Sequence, residues 1–429
     1  MSGRVLRRIG AGEVAARRGA AVDDDALAQA EEIVRAVRDG GEAAVREYGV
    51  QFGDLAPGDP LVIEPAELRR GLADIDDEDR AVLERAAARI RRFADAQRAA
   101  LADVRLEIPG GIASHRFTPV EVAGCYAPAG RYPLPSSLLM MCVTARAAGV
   151  ENVWAASPRP GPVMKAAAAI AGVDGLIACG GAQVIAAMSF GAGPIPPCET
   201  IVGPGNRWVT AAKKIVSGTV RIDMLAGPSE LVIVADESAD PRTVAADLLA
   251  QAEHDDEALP ILIALDDALI AFVERHLERQ LADLPTAATA RRALGNGFAV
   301  VARDAAEAAA LCDRLAPEHV QLSIQDSAAV AARLRHYGGL FPGAASAEVF
   351  GDYGAGPNHV LPTGGTARWR GGLSVLDFVR IQTALEVTDA AAFECMARDA
   401  AHLARMEGLE GHARAAERRL RRSVTARPR

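Results

Sequence analysis

The spacing of apolar residues changes along the chain. Over residues 25–49 and 77–104, alanines and aliphatic residues recur at three- and four-residue intervals among arginines and glutamates, which predicts two solvated helices. From about residue 120, short β-branched runs alternate with alanine-rich ones. Val120–Cys125, Asn152–Ala156, Gly175–Cys179 and Thr200–Val202 predict strands, and Ser136–Ala148, Pro162–Ala171, Ala182–Phe190 and Arg207–Val216 predict helices between and after them. The alternation restarts after Gly227-Pro228. Strands are expected at Leu231–Ala235, Pro260–Leu265, Phe298–Ala302, Val320–Ile324 and Leu340–Phe341, with a helix at Arg242–Glu253 and a long one ending at Leu281. The pattern is that of two α/β blocks with parallel sheets, meeting near residues 226–229. The tail after about residue 374 reads as helical and charge-rich, and no short-period repeat is present.

Composition narrows the function classes. The 429 residues carry a net charge of −9, which disfavours non-specific nucleic-acid binding. The one basic cluster, Arg418, Arg419, Arg421 and Arg422, reads as a solvated chain end. The six cysteines are scattered, none in a CxxC pair, and are expected to be buried small hydrophobes in a reducing compartment. The N-terminus lacks the apolar core of a signal peptide, and the uncharged run 175–198 holds too many glycines and prolines for one spanning helix. A cytoplasmic protein with no membrane partner is expected.

Candidate chemistry gathers at element ends. Gln251 and His254, closing Leu-Leu-Ala-Gln-Ala-Glu-His, are three apart and share a helix face. His254, His319, His359 and His412 each lie near the end of an expected element, beside a Pro, Gly or carboxylate. Each alone reads at least as readily as a structural or surface histidine. Together with Asp352 they have the composition of a metal or acid–base site. Glu318-His319 follows Pro317 and precedes a strand, so a carboxylate and an imidazole are fixed at an element end, as an acid–base pair or as a plain turn. Ile201-Val-Gly-Pro-Gly-Asn206 ends a strand and opens a helix, with Asn206 at the N-cap, where backbone amides suit a phosphate. Ala226-Gly-Pro-Ser-Glu230 is a second tight turn, and both could be simple punctuation. GxGxxG, the P-loop and HExxH are all missing.

Taken in order, Tyr126-Ala-Pro-Ala-Gly-Arg, Gly180-Gly-Ala-Gln, Gly203-Pro-Gly-Asn, Ala226-Gly-Pro-Ser-Glu, Leu249-Ala-Gln-Ala-Glu-His, Ala316-Pro-Glu-His, Gly351-Asp-Tyr, Gly356-Pro-Asn-His-Val-Leu-Pro-Thr-Gly-Gly and Glu407-Gly-Leu-Glu-Gly-His resemble the histidinol dehydrogenase family. The resemblance runs from about Val120 to His412. It departs at Val379-Arg-Ile-Gln-Thr-Ala, where the family has a more polar stretch.

The resemblance implies two Rossmann-like parallel-sheet domains with incomplete dinucleotide-binding topology, plus helical N- and C-terminal extensions. Residues 1–20 would be an extension. Residues 21–125 with 229–373 would form a domain carrying zinc ligands and the acid–base pair, 126–228 the NAD-binding domain, and 374–429 a tail exchanged in a homodimer. The implied activity is oxidation of L-histidinol to L-histidine through an aldehyde-level intermediate, with two NAD+ and one zinc per chain. By match, Gln251, His254, Asp352 and His412 would hold zinc, and Glu318 and His319 would be the acid–base pair. Tyr126, Gln183 and Asn206 would contact NAD+. Ser229 and Glu407, with the metal ligands and His319, would bind substrate. A paralogue oxidising another small alcohol, such as a diol sulfonate, is the alternative. Glu407 speaks against it, because a carboxylate repels a sulfonate. A non-catalytic scaffold has no use for the complete donor set.

Overall fold

The computed structural model describes residues 5–16, 22–128 and 133–423. The chain divides into two units, one comprising Val120–Phe378 and the residues up to Gln97, the other Arg98–Pro119 and the chain from Val379 onward.

The first unit holds two six-stranded sheets. In one, the spatial order is Val62–Ile63, Gly175–Ile177, Asn152–Ala156, Val122–Tyr126, Thr200–Val202 and Arg221–Ile222. All pairings are parallel except the short antiparallel edge Val62–Ile63, so part of segment 21–125 joins the sheet built mainly from 126–228. Order reverses beside Val122–Tyr126: the chain first grows the sheet to one side, then crosses to Thr200–Val202 on the other. Open α/β sheets bind ligands at the carboxyl ends of strands at such a switch point. Here those ends are Tyr126 and Gly203.

The second sheet repeats this winding: Arg7–Arg8, Phe298–Val301, Leu259–Ala264, Glu230–Ala235, His319–Ser323 and Gly339–Pro342, all parallel. Its central strand, Glu-Leu-Val-Ile-Val-Ala, is apolar along its length after Glu230 because both faces are covered. Leu231, Ile233 and Ala235 pack with Leu248, Ile270 and Leu277 on one face; Val232 and Val234 pack with Leu311, Cys312 and Leu315 on the other. Among the described residues, no helix is long and apolar enough to cross a membrane.

The second unit departs from the helical expectation for the tail. Val379–Val387 is a strand, in an antiparallel sheet with Gly111–Pro119, which in turn pairs with Val104–Ile108. Val-Arg-Ile-Gln-Thr-Ala-Leu-Glu-Val alternates in polarity with the period of a strand, and this overrides the charge content that suggested helix. The helix expected over 77–104 correspondingly stops at Ala99. Gly110 makes the hairpin turn at φ 77°, where a Cβ would lie 2.3 Å from the Asp389 carbonyl oxygen. Helices Glu394–Met406 and Glu410–Ser423 follow and pack on each other through Ala401, Ala404 and Ala413. Cys395 is exposed there, unlike the other five cysteines, which are buried as expected.

Candidate metal centre and acid–base pair

The candidate site lies at the amino ends of two central strands of the second sheet. Helix Ala305–Leu315 ends on Ala316, whose left-handed backbone (φ 50°) turns the chain sharply into Pro317. Glu318 and His319 then enter the sheet beside Glu230, with Leu231 opposite His319. The Glu230 amide donates to Glu318 Oε2 at 2.9 Å, and the Glu230 carbonyl lies 3.1 Å from His319 Nδ1. A carbonyl only accepts, so Nδ1 carries the proton and Nε2 keeps a free lone pair. His319 Nε2 is buried with no hydrogen-bond partner and lies 3.9 Å from Asp352 Oδ1.

Two helix ends deliver the other donors. Helix Pro241–Ala252 closes with Gln251, fully buried, and the chain continues to His254. Neither the oxygen nor the nitrogen of the Gln251 side-chain amide has a partner. The short helix Glu348–Asp352 places its first and last side chains on one face. His254 Nε2 lies 3.7 Å from Asp352 Oδ2, and donor atoms of His254, Glu348 and Asp352 all fall within 4.8 Å of one another. Two donors sharing one zinc ion stand roughly 3–4 Å apart. This donor set, with an orphaned amide one turn before His254, fits a divalent cation. Gln321 ties the two helices together: its Nε2 donates to Asp247 of the long helix, and its Oε1 accepts the Glu348 amide at 3.3 Å.

Burial dominates the protonation of the cluster. It pulls the His319 pKa down to about 4, so the imidazole is neutral near pH 7. It pushes the Glu318 carboxyl well above its usual range and Glu348 up to about 9, with nearby carboxylates adding to both shifts. Burial also lowers the His359 pKa. A cation among these groups would relieve the crowded carboxylates.

His359, in the loop that follows helix Glu348–Asp352, links the cluster to a helix of the first sheet. Its Nδ1 sits 2.8 Å from the Asp352 carbonyl, and its Nε2 sits 3.0 Å from the hydroxyl of Ser137, on helix Pro135–Ala148. Ser229, half-buried, ends the crossover between the sheets, and its carbonyl accepts the Leu259 amide.

Tyr126, Gln183 and Asn206 lie around the carboxyl edge of the first sheet. Tyr126 is buried, its hydroxyl accepts the Gly181 amide at 3.4 Å, and burial pushes its pKa up to about 12. Gln183 is buried, and its amide oxygen has no partner. Asn206 caps helix Arg207–Val216 by accepting from Trp208 and Val209, as the sequence suggested. A Cβ on Gly203 (φ 128°) would lie 2.1 Å from the Tyr126 carbonyl oxygen, so only glycine lets the loop approach that strand end. Tight glycine turn, capped helix and orphaned amide suit a dinucleotide.

Glu407 and His412 belong to the second unit. Glu407 ends helix Glu394–Met406, His412 lies in helix Glu410–Ser423, and both are exposed. Sequence reasoning passed over Glu348, although its spacing of four from Asp352 was legible. It also passed over Gln321, Glu230 and the buried Lys213–Asp223 pair.

Comparisons with known proteins place the chain in a family. The family model for histidinol dehydrogenase matches residues 16–420. The chain belongs to the histidinol dehydrogenase family. It is 46% identical over 410 residues to the histidinol dehydrogenase of Thermus thermophilus, covering 94% of this chain and 97% of that one. It is 41% identical to that of Cupriavidus pinatubonensis, covering 94% and 92%. The crystal structure of histidinol dehydrogenase from Elizabethkingia anophelis superposes with a TM-score of 0.91 at 29% identity, covering 99% of this chain and all of that one. Membership of the histidinol dehydrogenase family makes this chain an oxidoreductase acting on an alcohol group.

Proposed function

We propose that the protein catalyses the zinc-dependent, NAD+-linked oxidation of L-histidinol to L-histidine through an aldehyde-level intermediate, the last step of histidine biosynthesis. The observation that carries this reading is the approach of Asp352 to both His254 Nε2, at 3.7 Å, and the unpartnered His319 Nε2, at 3.9 Å, with an unpartnered buried amide at Gln251, three residues before His254. Gln251, His254 and Asp352, with His412, would hold one zinc per chain. When bound, zinc supplies the positive charge that grips and polarises the amino alcohol, and the dinucleotide accepts hydride.

The residues of the chain divide the proton work. His319 is neutral, with Nδ1–H anchored on Glu230, so Nε2 takes the alcohol proton as hydride leaves. Glu318, anchored by the Glu230 amide, activates water for attack on the aldehyde-level carbon. Two bases serve because both the alcohol and the attacking water lose protons at one carbon. Each is worth about 10²–10⁴-fold in rate. Ser229 and Glu407 contact the substrate, Glu407 matching its positive charge. Tyr126, Gln183 and Asn206 bind NAD+.

Glu407 and His412 would act in the site of a second copy, in a cytoplasmic homodimer with shared active sites. Exposed Leu403, Met406 and Leu409 on the tail support this, because they offer an apolar surface to bury. Another small alcohol, such as a diol sulfonate, is the alternative substrate, and Glu407 disfavours it. The test is NADH formed per L-histidinol, before and after chelation. Two NADH per substrate, abolished by chelator and restored by zinc, is expected; one NADH, or chelator-insensitive turnover, refutes the reading.

A further inference from the structure

Lys213 is among the largest fully buried side chains, and its charge is paired with that of fully buried Asp223. A buried ion pair contributes little net stability, since desolvating two charges offsets their attraction. The partners of this pair point to another role. Lys213 Nζ donates to the Gly203 carbonyl at 2.7 Å as well as to Asp223 Oδ1. Asp223 Oδ2 accepts the Gly203 amide at 2.7 Å, and Oδ1 accepts the Met224 amide at 2.6 Å. Both backbone polar groups of Gly203 therefore end on one ion pair. Gly203 is the residue pressed against the Tyr126 carbonyl, and it opens the loop that leads into helix Arg207–Val216.

The same pair reaches the acid–base site through the crossover 223–229. Asp223 begins that crossover and accepts the amide of Met224, its next residue. The hydroxyl of Thr210, about one turn before Lys213 on its helix, donates to the Ala226 carbonyl at 3.1 Å. The Gly227 amide donates to the Thr363 hydroxyl at 2.6 Å. Glu230, directly after the crossover, holds Glu318 with its amide and His319 with its carbonyl. Chain and hydrogen bonds thus run without a break from the loop at the carboxyl edge of one sheet to the acid–base pair at the amino edge of the other.

We propose that Lys213 and Asp223 are positioning residues for the dinucleotide: their ion pair fixes loop Gly203–Asn206 and holds it in register with the crossover that carries the backbone partners of Glu318 and His319. This rests on the dinucleotide reading given above. An ion pair suits the task because it offers, at one buried point, donors for a carbonyl and acceptors for two amides. Apolar side chains would strand all three.

The test is NAD+ binding by calorimetry to zinc-loaded protein carrying Lys213→Met or Asp223→Asn, with thermal unfolding and bound zinc measured in parallel. At a temperature where the variants are folded, the Kd for NAD+ is expected to rise about tenfold or more while zinc per chain stays unchanged. Lower stability with an unchanged Kd would reduce the pair to a structural part and overturn the proposal. Wild-type protein that fails to bind NAD+ would overturn the dinucleotide reading itself, which the variants alone cannot do. Should neither variant fold, amide exchange of wild-type protein decides. NAD+ is expected to slow exchange over 203–206 and over 224–227 together, and protection confined to the first segment overturns the proposal.

Discussion

His254 Nε2 and Asp352 Oδ2 stand 3.7 Å apart, one just past the end of a twelve-residue helix and the other closing a five-residue one. Buried Gln321 ties those two helices to each other. The strand that carries Gln321 thus holds the pair at the spacing of two donors to one ion.

His254→Asn should therefore lose metal and activity together. Metal analysis of the purified variant is expected to fall well below one ion per chain, with turnover lost in parallel. Turnover that survives without metal would defeat the zinc assignment.

Glu348 makes a second, separate demand on the same centre. Its carboxylate shares the cluster with His254 and Asp352, and its Oε1 has no hydrogen-bond partner. Glu348→Gln should keep the fold and weaken zinc binding about ten- to hundredfold, read by competition with a chelating dye. Wild-type affinity would remove Glu348 from the metal's surroundings.

Much of this was legible in the sequence, and what was not shares a physical cause. Helices Pro162–Ala171 and Arg207–Val216 and strands Asn152–Ala156 and Thr200–Val202 fall where local periodicity put them, because glycine or proline punctuates each block. Val379–Val387 was misread because charge content outweighed an alternation that was present. The motif residues 251, 254, 318, 319 and 352 could be picked out, but their convergence depends on parallel pairing across the second sheet, which local spacing does not encode. Glu348 and Lys213 look like ordinary surface charges in the sequence. Only tertiary burial makes them otherwise.

Glu318→Gln should slow the aldehyde-to-acid step more than the alcohol-to-aldehyde step. Single-turnover traces with the alcohol and with the aldehyde supplied separately would show it, the second step falling about 10²–10⁴-fold. Equal slowing of both steps would refute the role of Glu318 as water activator.

Glu407 and His412 are exposed on the tail helices, so a shared site has a direct consequence. Chains carrying His412→Asn, inactive alone, mixed with chains carrying Glu318→Gln should regain activity after subunit exchange, because one site in each heterodimer is then intact. Exchange verified by mass spectrometry without recovered activity would count against a crossing tail.

The most direct test is anomalous scattering at the zinc edge from crystals of zinc-loaded protein. One strong peak per chain is expected, within about 2.0–2.3 Å of donor atoms on Gln251, His254 and Asp352. A peak elsewhere, or none at this cluster in protein that oxidises L-histidinol, would contradict the account.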